Sequence, residues 1–394
     1  MKAFRLICMA LAIGSATHGP ATAAPYIPQS DSEVLEQLPF SRTDPVVREL
    51  QSLSGRLKVE PDNLPLALAV ARRNFDLGGV TGDPRYAGYA EAALKPWWTL
   101  EKPPEPVRLL RAALRQRIHM FDAALADLDV IVQDEPRNAQ ARLIRATVHQ
   151  VRGEYAATRQ DCVELQALTQ KLVSVTCLAN VDAVTGMLRD GYERLAVTLD
   201  EQRNARPELR EWAITSLAEM AVRRGLTDEA DSRFREALSL DKSDNYLLAA
   251  YADFLLDQGR AQEVVALLRD KTRVDPLLLR YAQALKNTGS TDFSSAVAQL
   301  RDRFEASHLR GDKVHLREEA IFNLHLLNNP RTALRLAQEN WLVQKEPADL
   351  RILLEVASAT GDDATLSTTR AWLAATKFED TQIEHFFRPT LKPN

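Results

Sequence analysis

The sequence predicts an all-α protein in which antiparallel helix pairs stack into a solenoid. Three observations carry that expectation. Apolar residues recur in helical rather than alternating order, with only 15 glycines in 394 residues. Stretches of the chain echo one another at a spacing of 34 residues. The composition is 45% hydrophobic and 26% charged but only 6% aromatic, globular yet short of the large residues that dominate one compact core.

At the start, Lys2 and Arg5 precede the apolar run "LICMALAIGSA", and Ala21 and Ala23 stand in the small-x-small order that signal peptidase reads. Residues 1–23 are therefore expected to be a secretory signal peptide cut near Ala23, leaving a protein in the periplasm or secreted. Cys8 lies inside the apolar run with no small residue just before it, which argues against a lipoprotein. No later window offers about 18 uncharged apolar residues, so no membrane span is expected in the mature chain. Losing Lys2 and Arg5 takes the formal charge from −4 to −6, which attracts neither nucleic acid nor anionic lipid. Residues 24–43 hold three prolines and no helical period, and read as an extended arm.

Residues 44–380 carry the repeats. "EPDNLPLALAVARRNFDLGG" and "YAGYAEAALKPWW" read as a first helix pair with an enlarged turn. "HMFDAALADLDVIVQDEPRNA" is then echoed by "GEYAATRQDCVELQAL", His119 to Gly153 being 34 residues. "GLTDEADSRFREALSLDKSDN" is echoed in turn by "GRAQEVVALLRDKTRVDP", Gly225 to Gly259 being 34 again. Pro136 to Pro207 spans 71, two periods plus three, which places an insertion near "LTQKLVSV". Three weaker helix pairs continue the array, and residues 381–394 read as a flexible tail.

Each repeated feature has a mechanical reason. The glycine ends the first helix in a left-handed conformation, small residues let two helices approach closely, and proline opens the next unit because it cannot continue a helix. With a period of 34, a turn glycine at Gly225, and Ala230, Phe234 and Ala237 at small-x₃-large-x₂-Ala spacing, the chain resembles the tetratricopeptide repeat family, in an exported bacterial form.

The resemblance implies a right-handed superhelix with first helices lining its concave face. Carried over, it places Gln140, Leu143, Thr147 and Gln150, then Asn180, Val184 and Met187, on that face. Trp212, Thr215 and Glu219 follow, then Tyr246, Ala249 and Asp253. Some members clamp a C-terminal carboxylate with Lys, Arg and Asn on these rows; here Leu, Asn, Thr and Ala stand there. Trp212 and Tyr246, one period apart, are either peptide anchors or packing against the preceding unit's second helix. Cys162 falls at the packing place of Phe234, and Cys177 lies early in the next first helix. Both a disulfide and two separate buried thiols fit them.

Chemistry is sparse. No glycine-flanked nucleophilic serine, phosphate-cradling loop or paired-histidine zinc helix occurs. His315 with Glu318 or Glu319 has one-turn spacing but no third ligand, so neither a metal nor a cofactor is expected. In "ALRLAQENWLVQKEPADL", Asn340 stands where Ala237 stands in the clear repeat and needs hydrogen-bond partners if buried, while Trp341 covers the junction to the next pair. The leading expectation is a non-catalytic scaffold of the bacterial envelope that binds a protein or peptide partner. The alternative is an accessory that binds a polysaccharide or other ligand during export.

Overall fold

A computed structural model describes Ser30, residues 44–311 and residues 314–387. The expected signal peptide and all but Ser30 of the arm lie outside the described residues. Twenty α-helices and no strand occur among the described residues. α1 (Pro45–Val59) leads into α2 (Leu64–Thr81), which packs on α3 (Arg85–Ala93); the short α4 (Lys95–Trp98) fills the enlarged corner. Pairs then follow as α5 (Glu105–Arg117) with α6 (Phe121–Asp134), α7 (Ala139–Val151) with α8 (Tyr155–Glu164), and α9 (Lys171–Ala183) with α10 (Leu188–Glu201). Next come α11 (Pro207–Arg223) with α12 (Thr227–Leu240), α13 (Asn245–Asp257) with α14 (Ala261–Leu268), and α15 (Asp275–Thr288) with α16 (Phe293–Arg310). α17 (Leu316–Ile321), prolonged as a π-helical turn over Phe322–Leu326, precedes α18 (Pro330–Val343), and α19 (Pro347–Thr360) pairs with α20 (Asp363–Thr376).

Local chemistry explains the punctuation. Proline occupies the first turn of α5, α11, α15 and α19, where its missing N–H has no partner to lose. The turn inside every pair holds a residue with positive φ: glycine in most, but His119 (59°) and Asn328 (52°) in two. The extra residues between Pro136 and Pro207 are absorbed by a 3₁₀ turn over Leu165–Ala167 after α8.

The core is a chain of local clusters, the largest running from Leu172 through Phe234 to Ala284. That is the nearest-neighbour arrangement expected of stacked repeats. Charge is buried at repeat spacing too. Arg111 of α5 grips Asp127 of α6 through Nε (2.9 Å) and Nη2 (2.6 Å). Thirty-four residues on, Arg145 of α7 grips Asp161 of α8 through the same atoms at 2.8 and 2.7 Å. Arg115 and Arg142 add a second guanidinium to each carboxylate, at 2.7 and 3.2 Å.

The superhelix closes on itself. The Lys345 N–H donates to the Val151 carbonyl (2.7 Å) and the Leu188 N–H to Glu379 Oε2 (2.8 Å), the latter across 191 residues. Contacts run in order along one edge. The last turn of α2 meets Asn245 and Gly82 after it meets Val274, the His119 and Gly153 turns meet Gln344 and Lys345, Gly186 meets Lys377, and Gly225 meets Thr381. A second coil thus rests on the first along a seam. At Gly153 a Cβ would lie 2.8 Å from Lys345 Cδ, so the seam needs glycine there for space as well as for its φ of +78°.

One expectation is corrected. Residues 381–387 are not a free tail: Ile383 is 4% exposed, packed on Leu350 and Leu354, and the Thr381 N–H donates to the Arg223 carbonyl at 2.9 Å. The apolar residues of "QIEHFF" lack a helical period yet fit the end of α19, which is why no sequence pattern marked them. Residues 388–394 lie outside the described part.

Candidate functional site

The first helices α7, α9, α11 and α13 form the inner wall of the first coil, and the second coil covers them. Between them lies a lumen of about 610 Å³, within the size range of a ligand site. Eleven of the thirteen residues expected on the concave face line it: Leu143, Thr147 and Gln150 from α7; Asn180 of α9 and Val184, just past its end; Trp212, Thr215 and Glu219 from α11; and Tyr246, Ala249 and Asp253 from α13. Gln140 and Met187 do not line it. The lining is completed by Pro276 and Arg280 of α15, the next first helix, and by Arg317, Glu318 and Lys345–Ala348, all beyond the clear repeats through which the sequence rows were carried. A neighbouring cavity of about 400 Å³ shares Glu219, Arg223, Asp253 and Arg280 with the lumen, and contains the Asp257–Arg351–Glu355–His325 network.

The two aromatic candidates differ. Trp212 packs partly on the cluster of Leu165, Cys177 and Leu178, so the packing alternative describes much of its surface. Tyr246 keeps 56% of its surface open, and its hydroxyl donates to Glu219 Oε1 at 2.6 Å. The two lie on the same wall, within one enclosure. Glu219 still touches solvent in the lumen, yet enclosure by protein pushes its carboxyl up to about 7. The Tyr246 hydrogen bond pulls the other way, Glu346 pushes further up, and Arg223 and Arg317 pull down.

The cationic groups of the lumen are engaged. Arg280 forks onto Asp253 at 2.9 and 2.7 Å, Arg317 bonds Glu318, Glu346 and Asp349, and Lys345 donates to the Trp341 carbonyl. Cys162 of α8 and Cys177 of α9 form a disulfide, with Cys177 at the lumen wall. Glu319 Oε2 lies 2.9 Å from His308 Nε2, and Glu318 pairs with Arg317. The His315 pair is therefore dispersed, and no cluster of three ligating side chains occurs among the described residues.

Asn340, 2% exposed, sits on α18 and donates from Nδ2 to Asp349 Oδ1 of α19 at 2.8 Å. Its own Oδ1 accepts from Gln344 Nε2 at 3.2 Å, and that Nε2 lies 3.2 Å from His119 Nδ1 in the first coil. Burial drives His119 down to about 4, so it is neutral in this chain of bonds at neutral pH. Trp341 meets Trp372 edge-on at 5.0 Å, closing the junction to the last pair. Asn340→Ala should lower stability by about 1–3 kcal/mol by removing one hydrogen bond each from the buried Asp349 and Gln344, read as a lower melting temperature.

No protein-family model matches this sequence, and no curated protein matches it. Solved structures similar in fold include a tetratricopeptide repeat protein from Parabacteroides merdae, at 14% identity over 65% of this chain and 91% of that one, TM-score 0.43. The APC/C hetero-tetramer Cut9–Hcn1 matches at 14% identity over 80% of this chain and 60% of that one, TM-score 0.42. The P58(IPK) TPR domain matches at 12% identity over 80% and 94%, TM-score 0.21. The helix pairs of the structure itself, with their left-handed corners and small-residue packing, define a tetratricopeptide-type solenoid. No helix among the described residues is long and apolar enough to cross a membrane.

Proposed function

We propose that this chain is a non-catalytic scaffold of the bacterial envelope, exported by its N-terminal leader, that holds a segment of a protein partner in the lumen between its coils. One observation carries the reading. Most of the residues that first helices direct inward converge on one partly open lumen with polar and aromatic surface, rather than being dispersed or filled by core side chains. Walls built on helices hold such a surface rigidly, which limits the ordering cost of binding. The leader pattern and the Cys162–Cys177 bridge support an oxidising compartment.

Affinity capture from envelope extracts tests the reading. The double variant Trp212→Ala/Tyr246→Ala should recover the partner about tenfold less well than the wild-type protein, because buried aromatic anchors dominate such contacts. Undiminished recovery would exclude the lumen as the binding site, and a recovered glycan in place of a protein would favour the polysaccharide role.

A further inference from the structure

The lumen is unevenly charged. Six of its residues are acidic and four basic, and the basic ones are already bound. Arg280 and Arg317 have their carboxylates, and Arg223 and Lys345 donate to backbone carbonyls. Three acids have no cationic partner among the described residues. Glu211 accepts only from the Thr215 hydroxyl (2.9 Å) and Glu219 only from Tyr246 (2.6 Å). Asp244 caps α13 through the Leu247 N–H (2.7 Å).

Glu211, Thr215 and Glu219 follow one another at four-residue spacing, a single row along α11. Trp212 flanks this row on its own helix, and Asp244 and Tyr246 flank it from the start of α13. Ser216 belongs to the same wall. It is 5% exposed, and its hydroxyl has no protein partner among the described residues. That hydroxyl opens onto the lumen beside unpaired carboxylates and aromatic rings, where a guest can engage it.

We infer that the lumen recognises a cationic group, a lysine ammonium or arginine guanidinium of the partner segment, held between the α11 carboxylate row and the Trp212 and Tyr246 rings. The inference rests on the scaffold reading and adds the chemistry of what is held. Carboxylates supply charge-assisted hydrogen bonds and the rings offer their negative faces, a combination that selects cations over neutral or anionic groups. Enclosure, with Glu346 adding to it, keeps Glu219 partly protonated near neutrality, and a bound cation would draw that proton off. Binding should therefore tighten as pH rises through about 7, the value to which Glu219 is raised.

Calorimetric titration of the full-length protein with an acetylated tetra-lysine amide, and with its tetra-glutamate and tetra-glutamine counterparts, tests this. The lysine peptide alone should bind, and Glu211→Gln/Glu219→Gln should weaken it by about tenfold or more, the loss of one or two charged hydrogen bonds. Glu91→Gln/Glu101→Gln, on the outer surface, should leave the affinity unchanged, which separates lumen binding from general attraction to an acidic protein. Glu219→Gln alone should flatten the pH dependence near 7, a readout that loss of folding does not imitate. Equal binding of the neutral or acidic peptide, no binding of the lysine peptide, or full affinity in the double variant would each overturn the cation assignment. The scaffold reading has its own arm: a partner captured through Trp212 by a segment without basic residues leaves the scaffold standing and removes the cation.

Discussion

Asp161→Ala should lower the unfolding free energy by about 3–5 kcal/mol, the range for removing one member of a buried ion pair. Asp161 is 1% exposed and carries two guanidinia, Arg142 and Arg145. Without it both cations stay inside, held only by weaker alternatives: the Pro136 carbonyl for Arg142 (2.9 Å) and the exposed Asp129 for Arg145 (2.9 Å). Those alternatives place the expected value near the lower end of the range. Urea unfolding should show a lower midpoint with an unchanged slope, since the folded state stays equally compact. The paired replacement Asp161→Leu/Arg145→Met should recover much of the loss, because an apolar pair leaves only Arg142 to be rehoused. If Asp161→Ala melts like the wild-type protein, the buried forks contribute nothing to the stack.

Arg223→Met should be the second large effect, about 3 kcal/mol, from two charged hydrogen bonds at roughly 1.5–3 kcal/mol each, offset in part by packing of the methionine. Arg223 ends α11 at the seam. Its guanidinium donates to the Glu379 carbonyl (2.9 Å) and to the Ala183 carbonyl, and lies 4.4 Å from the centre of the Phe378 ring. Burial holds its pKa below the usual arginine range, although Asp380 and Glu219 oppose that shift. The decisive measurement is local. Hydrogen exchange should quicken over residues 377–387 while α7–α10 keep their protection. Arg223→Lys should recover only part of the loss, since an ammonium lacks the second bond that Nε gives the Glu379 carbonyl (3.3 Å) and the planar face over Phe378. Uniform loss of protection along the whole chain would mean that Arg223 supports the α11 unit rather than the joint between coils.

How much of this was legible in the sequence depends on the distance over which each feature is determined. Gly153 and Gly225 mark their corners because a left-handed residue is a local steric demand. His119 was read into the same place by spacing alone, and Asn328 at the α17–α18 corner has the residue type that tolerates it. The inward row was legible for the same reason, since a helix face follows from position within a unit; only Gln140 and Met187, at the ends of their rows, fall away from the lumen. The Arg111–Asp127 and Arg145–Asp161 forks are written in the sequence as a 34-residue echo of charged residues, but nothing local marks them as buried, because charge normally lies on the surface. The covering coil was not legible. Whether Lys345 reaches Val151 depends on many small angles between successive units added over nearly two hundred residues, and no local pattern encodes their sum.

The seam also bears on how the chain folds. An open array of helix pairs can form from either end and fray from either end, because each unit answers only to its neighbours. Here Tyr155 and Lys345 are bonded across 190 residues. Such a contact repays its loop-closure entropy only after the intervening units have formed. Assembly then acquires a fixed last step, the landing of α18–α20 on a finished α7–α12. Loss of structure is made cooperative in the same way, since the final units unfold only by first breaking contacts with units that the ribosome completed long before them.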